Sequence, residues 1–201
     1  MSRIVMIRHG ETSWNAEGRS QGWMDPPLNE KGMRQAELVG EYVRGHFDFT
    51  RVISSDLSRC AMTADRLSLE YSTDPMLREI NTGAFGGLLI ADIRERFPDV
   101  VDYWVRNIGR APDGESWLDL VARAGRFVAE SGVLEIEGDI CLVSHGGTIR
   151  ALLSVFLGLH INAVRHFAQS NTGITIVSHE TVNGEPSFGL DLLNSTAHLR
   201  G

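Results

Sequence analysis

Apolar side chains along this chain follow two rhythms. Ile4-Val5-Met6-Ile7 and Ile140-Cys141-Leu142-Val143 are short unbroken apolar runs, the pattern of strands covered on both faces, and Arg51-Val52-Ile53 reads as a third. Elsewhere the spacing changes to threes and fours. Ala36, Val39, Gly40, Val43 and Phe47 follow Asn29, a helix N-cap with Glu30 in the first turn. Leu57, Cys60, Ala61, Ala64 and Leu67 predict a second helix. Trp117, Leu120, Val121, Ala124, Phe127 and Val128 predict a third, and Ile149, Leu152, Leu153, Phe156 and Leu157 a fourth. Strands alternating with helices at these separations predict an α/β three-layer sandwich, with a mostly parallel central sheet and helices on both faces. Residues 173–178 and 187–193 read as two further strands joined near the Asn183-Gly184 turn. Residues 82–114 break the rhythm with Pro98 and Pro112 and are read as a small helical excursion over the active-site edge of a single domain, 1–201.

Composition narrows the classes. The 201 residues are 42% hydrophobic and 22% charged, enough to bury one full core without covalent staples. Cys60 and Cys141 are too few for a disulfide scaffold and form no Cys-x-x-Cys pair, which fits a reducing, cytoplasmic setting. The N-terminal apolar run is far shorter than the core of a signal peptide, and the greasy segment 151–159 has the length of a core helix rather than a membrane span. A net charge of −7 argues against a nucleic-acid partner, whose backbone is gripped by distributed positive charge. Lys31 is the only lysine, so almost every fixed positive charge is an arginine, the side chain that holds phosphate with two parallel hydrogen bonds.

In an open parallel sheet, ligands lie beyond the carboxyl ends of the strands. Two of the seven histidines fall there, His9 after the first strand and His145 after the strand at 140–143, and parallel strands bring them to one edge. Each precedes glycine, which lets backbone approach a ligand, and Gly146-Gly147-Thr148 opens a helix whose free N–H groups favour an anion. Arg8 adds a fixed charge beside His9. Two other motifs lead nowhere: Gly18-Arg19-Ser20-Gln21-Gly22 lacks the strand and helix a serine-hydrolase elbow requires, and Cys60 to Arg66 has cysteine-phosphatase spacing but no glycine in its loop. Cys60 is read as a core residue.

Arg8-His9-Gly10-Glu11-Thr12-Ser13-Trp14-Asn15 closely resembles the signature of the histidine phosphatase superfamily, which includes the cofactor-dependent phosphoglycerate mutases. Further segments follow in family order: Ser54-Ser55-Asp56-Leu57-Ser58-Arg59 resembles its second arginine motif, Leu77-Arg78-Glu79-Ile80 its acidic motif, then Pro112-Asp113-Gly114-Glu115-Ser116 and Ser144-His145-Gly146-Gly147. Asn171-Thr172-Gly173-Ile174-Thr175 resembles a later segment, so the likeness covers most of the chain.

The resemblance implies a phosphomonoester phosphatase acting on a small phosphorylated metabolite, with no cofactor and no metal. His9 is then the nucleophile that becomes phosphohistidine. Arg8 and Arg59 grip phosphoryl oxygens, His145 donates a further hydrogen bond, Gly146 lines the phosphate site, and Asn15 orients the phosphate or a neighbouring side chain. Glu79 is the expected proton donor, because a neighbouring dianion favours the protonated form of a carboxyl group. Glu11, Lys31, Arg34, Glu115, Ser116 and Arg150 are read as structural or rim residues. A phosphoglycerate mutase that uses 2,3-bisphosphoglycerate is the main alternative, and a non-catalytic phosphate-binding module the weaker one. Phosphatase relatives tend to carry Gly-x-Trp-Glu-Gly after the acid, whereas this chain has Gly83-Ala84-Phe85-Gly86-Gly87, so substrate contacts do not transfer there. Sugar phosphates, phosphoglycerates, phosphorylated cofactor precursors and nucleotides all remain candidate substrates. A homodimer is compatible with the sequence.

Overall fold

A computed structural model of the chain describes residues 2–99 and 109–200. The two apolar runs become β1 (Ser2–Arg8) and β4 (Asp139–Ser144), neighbours in a six-stranded sheet with β2 (Phe49–Ser54), β3 (Ser72–Thr73), β5 (Ile174–Val182) and β6 (Glu185–Ser195). The order is β3-β2-β4-β1-β5-β6, parallel through the first four and antiparallel at β5 and β6. The sheet is therefore mixed and largely parallel, as the spacing of the elements predicts. Asn183 and Gly184 both take positive φ, 54° and 86°, and their turn joins β5 to β6.

Alternation along the buried strands sorts the core into two halves. Ile4, Met6, Ile140 and Leu142 face α5 (Trp117–Glu130), α6 (Gly146–Leu157) and α7 (Ile161–Val164), where Leu120, Phe127, Leu152 and Phe156 close the layer. Val5, Ile7, Cys141 and Val143 face α2 (Glu30–His46) and α3 (Ser58–Asp65), meeting Val39, Val43, Cys60 and Leu67. Each half is built of fully buried apolar side chains, and truncating one such as Phe127 to alanine is expected to cost about 3–5 kcal/mol. Helix starts follow the sequence signals. The Asn29 side chain accepts from Gly32 N at 2.7 Å to begin α2, and Ser116 with Asp119 forms a capping box ahead of α5.

Several short elements escape the sequence reading: the two-residue β3, the four-residue α7, the 3₁₀ turns Pro75–Leu77 and Ala197–Leu199, and α1 (Ser13–Glu17), a five-residue polar turn whose capping box joins Thr12 and Asn15. The excursion at 82–114 begins as a 3₁₀ turn, Gly83–Phe85, and continues as α4 (Ile90–Arg96), which ends before Pro98. It has a small apolar cluster of its own in Phe85, Ile93 and Ala111. The part of that expectation that falls on residues 100–108 lies outside the described residues. No helix among the described residues is long and apolar enough to cross a membrane.

Candidate active site

The register of the two central strands fixes the site. Arg8 pairs with Ser144, so His9 and His145 are the first residues beyond the sheet on adjacent parallel strands, and their rings meet edge to face with centroids 5.1 Å apart. His9 is 2% exposed. Its Nδ1 lies 2.7 Å from Gly10 O. A carbonyl only accepts, so this contact puts the imidazole proton on Nδ1 and leaves the Nε2 lone pair free. Burial, reinforced by the Arg59 and Arg8 charges, holds the His9 pKa well below that of an ordinary histidine, so the ring is neutral at physiological pH. The loop is tied down by Gly10 N donating to Thr63 Oγ1 at 3.1 Å and Asn171 Nδ2 donating to His9 O at 3.1 Å.

His145 has no exposed surface, and burial with the nearby Arg59, His9 and Arg8 lowers its pKa in the same way. Arg59 Nε donates to His145 Nδ1 at 3.2 Å, which places the ring proton on Nε2, 2.9 Å from Ser55 Oγ. As placed, His145 therefore presents no free N–H, and donation to a phosphoryl oxygen requires a second proton, on Nδ1. Arg59 is fully buried, and its terminal nitrogens donate to Met24 O and Gly22 O, both at 2.8 Å. Cys60 packs beneath, with Sγ 3.3 Å from His145 Nε2, and burial pushes its thiol pKa up, away from thiolate chemistry.

Arg8 lies beside this pair. It donates from NH1 to Gln169 O at 2.6 Å, while its buried Nε has no partner among the described residues. Asn15 Oδ1 accepts from Thr12 N at 3.1 Å and from Asn171 Nδ2 at 3.3 Å, which ties it to the neighbouring loop. Gly146 is the first residue of α6 and faces Arg8 and Arg150. Glu11 ties loops together through Asn29 at 3.0 Å and Lys31 at 2.7 Å.

Glu79 reaches the same edge from the 76–79 segment. Its carboxylate accepts from Ile80 N at 2.9 Å and from Gly147 N, in the first turn of α6, at 3.1 Å. A Cβ at residue 147 would stand 2.3 Å from Glu79 Oε1, so the second glycine of the His-Gly-Gly run is the room this carboxylate occupies. The segment itself is clamped from behind by Arg123, whose NH1 donates to Met76 O and Arg78 O, both at 2.7 Å. Its NH2 donates to Glu79 O at 3.0 Å, and Glu115 takes the remaining two bonds at 2.9 and 2.8 Å. Thr148 Oγ1 donates to Arg78 O at 2.6 Å. Arg123 and Ser55 were not among the candidate residues. The signal for Arg123 is a charge on the buried stripe of α5, between Leu120 and Ala124. Arg150 was read as structural, and its Nε does donate to Phe167 O at 2.8 Å.

The mouth is built differently. Trp23 donates from Nε1 to Glu79 O at 2.8 Å and lies under the Arg78 guanidinium, 5.1 Å from the ring centroid. A Cβ at Gly86 would meet Met24 Cγ at 2.8 Å, so methionine fills the volume that a side chain would need. Among the described residues, no group of three or more histidine, cysteine, aspartate or glutamate side chains is placed to hold a metal ion.

The carboxyl end of the central strands in this α/β sandwich thus brings together two facing neutral imidazoles, the fully buried Arg59, the half-buried Arg8 and a carboxylate, an arrangement with the charge and donors to receive a phosphoryl group. Residues 4–187 match the histidine phosphatase superfamily (branch 1), and the chain belongs to that superfamily as one of its hydrolases. It is 35% identical over 210 aligned positions, covering 99% of this chain and 95% of the other, to a probable phosphoglycerate mutase GpmB of Yersinia pestis. Among solved structures, a mycobacterial glucosyl-3-phosphoglycerate phosphatase in complex with VO3 superposes with a TM-score of 0.84 at 32% identity, over 98% of this chain and 100% of that one. A phosphoserine phosphatase from Entamoeba histolytica, in complex with 3-phosphoglyceric acid, gives 0.84 at 27%, over 99% and 100%.

Proposed function

We propose that this protein is a phosphomonoester phosphatase that hydrolyses a small phosphorylated metabolite through a phosphohistidine at His9. The observation that carries the reading is the state of that ring: Nδ1–H spent on Gly10 O, Nε2 unprotonated, and the Arg8 and Arg59 guanidinium groups close enough to depress its pKa. His9 Nε2 attacks phosphorus as the ester P–O bond breaks, and the Glu79 carboxyl gives its proton to the departing oxygen. In the second half, the Glu79 carboxylate takes a proton from water, the water oxygen bonds to phosphorus, and the N–P bond breaks to return neutral His9 and phosphate. Arg8, Arg59 and the Gly146 N–H face the equatorial oxygens, which bear the charge of the transition state. A dianion in the pocket favours the charged imidazole: His145 Nδ1 gives up its bond from Arg59 Nε, takes a proton from solvent and donates to a phosphoryl oxygen, while Arg59 Nε turns to the same anion and Ser55 keeps the other N–H.

The same reading takes residues 1–201 as one domain, with 82–114 as an inserted helical lid region whose described parts, 82–99 and 109–114, set the choice of leaving group. The phosphatases among the superposed structures favour hydrolysis. The GpmB relative, aligned over 99% of this chain, favours the mutase reading, in which a bound phosphoglycerate replaces water as acceptor. The two are separated with 3-phosphoglycerate and traces of 2,3-bisphosphoglycerate, following free phosphate and 2-phosphoglycerate together beside a panel of other phosphomonoesters. Phosphate without isomer is the expected result and supports the phosphatase. Rapid isomer formation with little phosphate would make the protein a mutase, and silence throughout would make it a binding module.

A further inference from the structure

One corner of the pocket holds polar atoms that the scheme above leaves idle. Gln169 is 7% exposed, and neither its Oε1 nor its Nε2 has a partner among the described residues. Its backbone oxygen receives Arg8 NH1, and Arg8 Nε, also buried, is likewise unpartnered. Arg8 Nε, Arg150 NH1 and the root of the Gln169 side chain, its Cβ, surround the bare α-carbon of Gly146. A Cβ there would lie 3.6 Å from Arg8 Nε, 3.6 Å from Gln169 Cβ and 3.4 Å from Arg150 NH1. A buried carboxamide with both ends unpaired is costly, and folded proteins seldom keep one without a use for it. Two guanidinium groups and the first turn of the twelve-residue α6 make the corner donor-rich and positive, which selects an oxyanion.

We propose that Gln169 is a further substrate-binding residue whose carboxamide closes the phosphoryl pocket beside Arg8 and Gly146. Nε2 donates to a non-bridging phosphoryl oxygen, next to the bond from Arg8 Nε. Oε1 accepts the P–OH proton of the released phosphate, so the residue grips product as well as substrate. The inference rests on the phosphoryl-pocket reading and deepens it, and its test therefore reads binding separately from turnover.

Gln169→Met keeps the length of the side chain and removes both polar ends, while Gln169→Glu places a negative charge against the anion. Melting of each protein is followed with and without inorganic phosphate and orthovanadate, and inhibition constants for both anions are measured against hydrolysis of an aryl phosphate. The free Met variant is expected to melt at the wild-type temperature or about 2–4 °C above it, because an unpaired buried amide is gone. Its affinity for phosphate and vanadate falls about 10-fold, and that of the Glu variant falls further. Anion affinities within twofold of wild type in both variants overturn the proposal. So does a free Met variant that melts several degrees lower, since the amide would then be bonded in the free protein. If the wild-type protein itself binds neither anion, the pocket reading fails first and takes this inference with it.

Discussion

The floor of the pocket and its mouth are held by different physics. On the floor, His9, Ser55 and His145 sit at the ends of β1, β2 and β4 and Arg59 in the first turn of α3, all buried and locked by bonds whose partners lie far away in sequence, such as Arg59 to His145 and His145 to Ser55. At the mouth, residues 18–24 lie against 83–96 through a few backbone bonds, among them Ser20 N to Leu88 O at 2.9 Å and Ile90 N to Gly18 O at 2.9 Å. Trp23, Met24 and Ile90 remain exposed there. Moving a floor residue means moving the sheet. Exchanging a mouth side chain disturbs only its neighbours, so under the proposed function chemistry belongs to the first region and selectivity to the second.

That contrast predicts a graded series of effects. His9→Ala should lower kcat on 4-nitrophenyl phosphate by roughly 10⁴-fold or more, the scale of removing an essential nucleophile, and activity surviving within tenfold of wild type would end the phosphohistidine scheme. Glu79→Gln should cost about 10²–10³-fold on alkyl phosphates and much less on 4-nitrophenyl phosphate, whose leaving group needs no proton. An equal loss on both would make Glu79 a positioning group. Arg123→Met removes the donor of Met76 O and both guanidinium bonds of Glu115, leaves Arg78 O and Glu79 O to Thr148 and Trp23 alone, and should cost about 3 kcal/mol in urea unfolding, with the heavier catalytic loss again on alkyl esters.

A smaller effect follows from the histidines. His9 and His145 stay neutral in the fold while their unfolded counterparts take up protons below about pH 6.5. The unfolded chain then binds more protons, so the melting temperature of the free protein falls as pH drops from 7 to 5. His145→Asn should flatten that slope, and a slope left unchanged would mean that the ring takes up its proton as readily in the fold as in the unfolded chain. Smallest of all, Met24→Ala should shift the ratio of kcat/KM between bulky and compact esters by less than about 10-fold, with little change in kcat on aryl phosphate.

Much of the floor was legible in the sequence because its residues stand in short motifs tied to strand ends: an apolar run, then His-Gly, twice. The helices on both faces and the Asn183-Gly184 hairpin were legible for the same reason, since period and turn chemistry are local. The residues that went unseen share a different trait. Arg123 bonds mostly to main-chain oxygens and Gln169 receives Arg8 through its own, and backbone carbonyls are presented by every sequence, so no partner is written in the composition. β3 and α1 are too short to show a period. Gly86 was legible only as a departure; the structure supplies the cause, a methionine from another loop already in its space.

The hairpin has a practical consequence. β5 runs against β1, pairing His179 with Ser2, so the Asn183-Gly184 tip projects from the end of the sheet opposite the His9 and His145 rings, and residues 180–187 around it are exposed. A tag, a fluorophore or a surface linkage inserted at that tip meets neither core layer. Anchored there, the molecule would present its pocket outward from a bead or an electrode, with the full thickness of the sheet between the chemistry and the support.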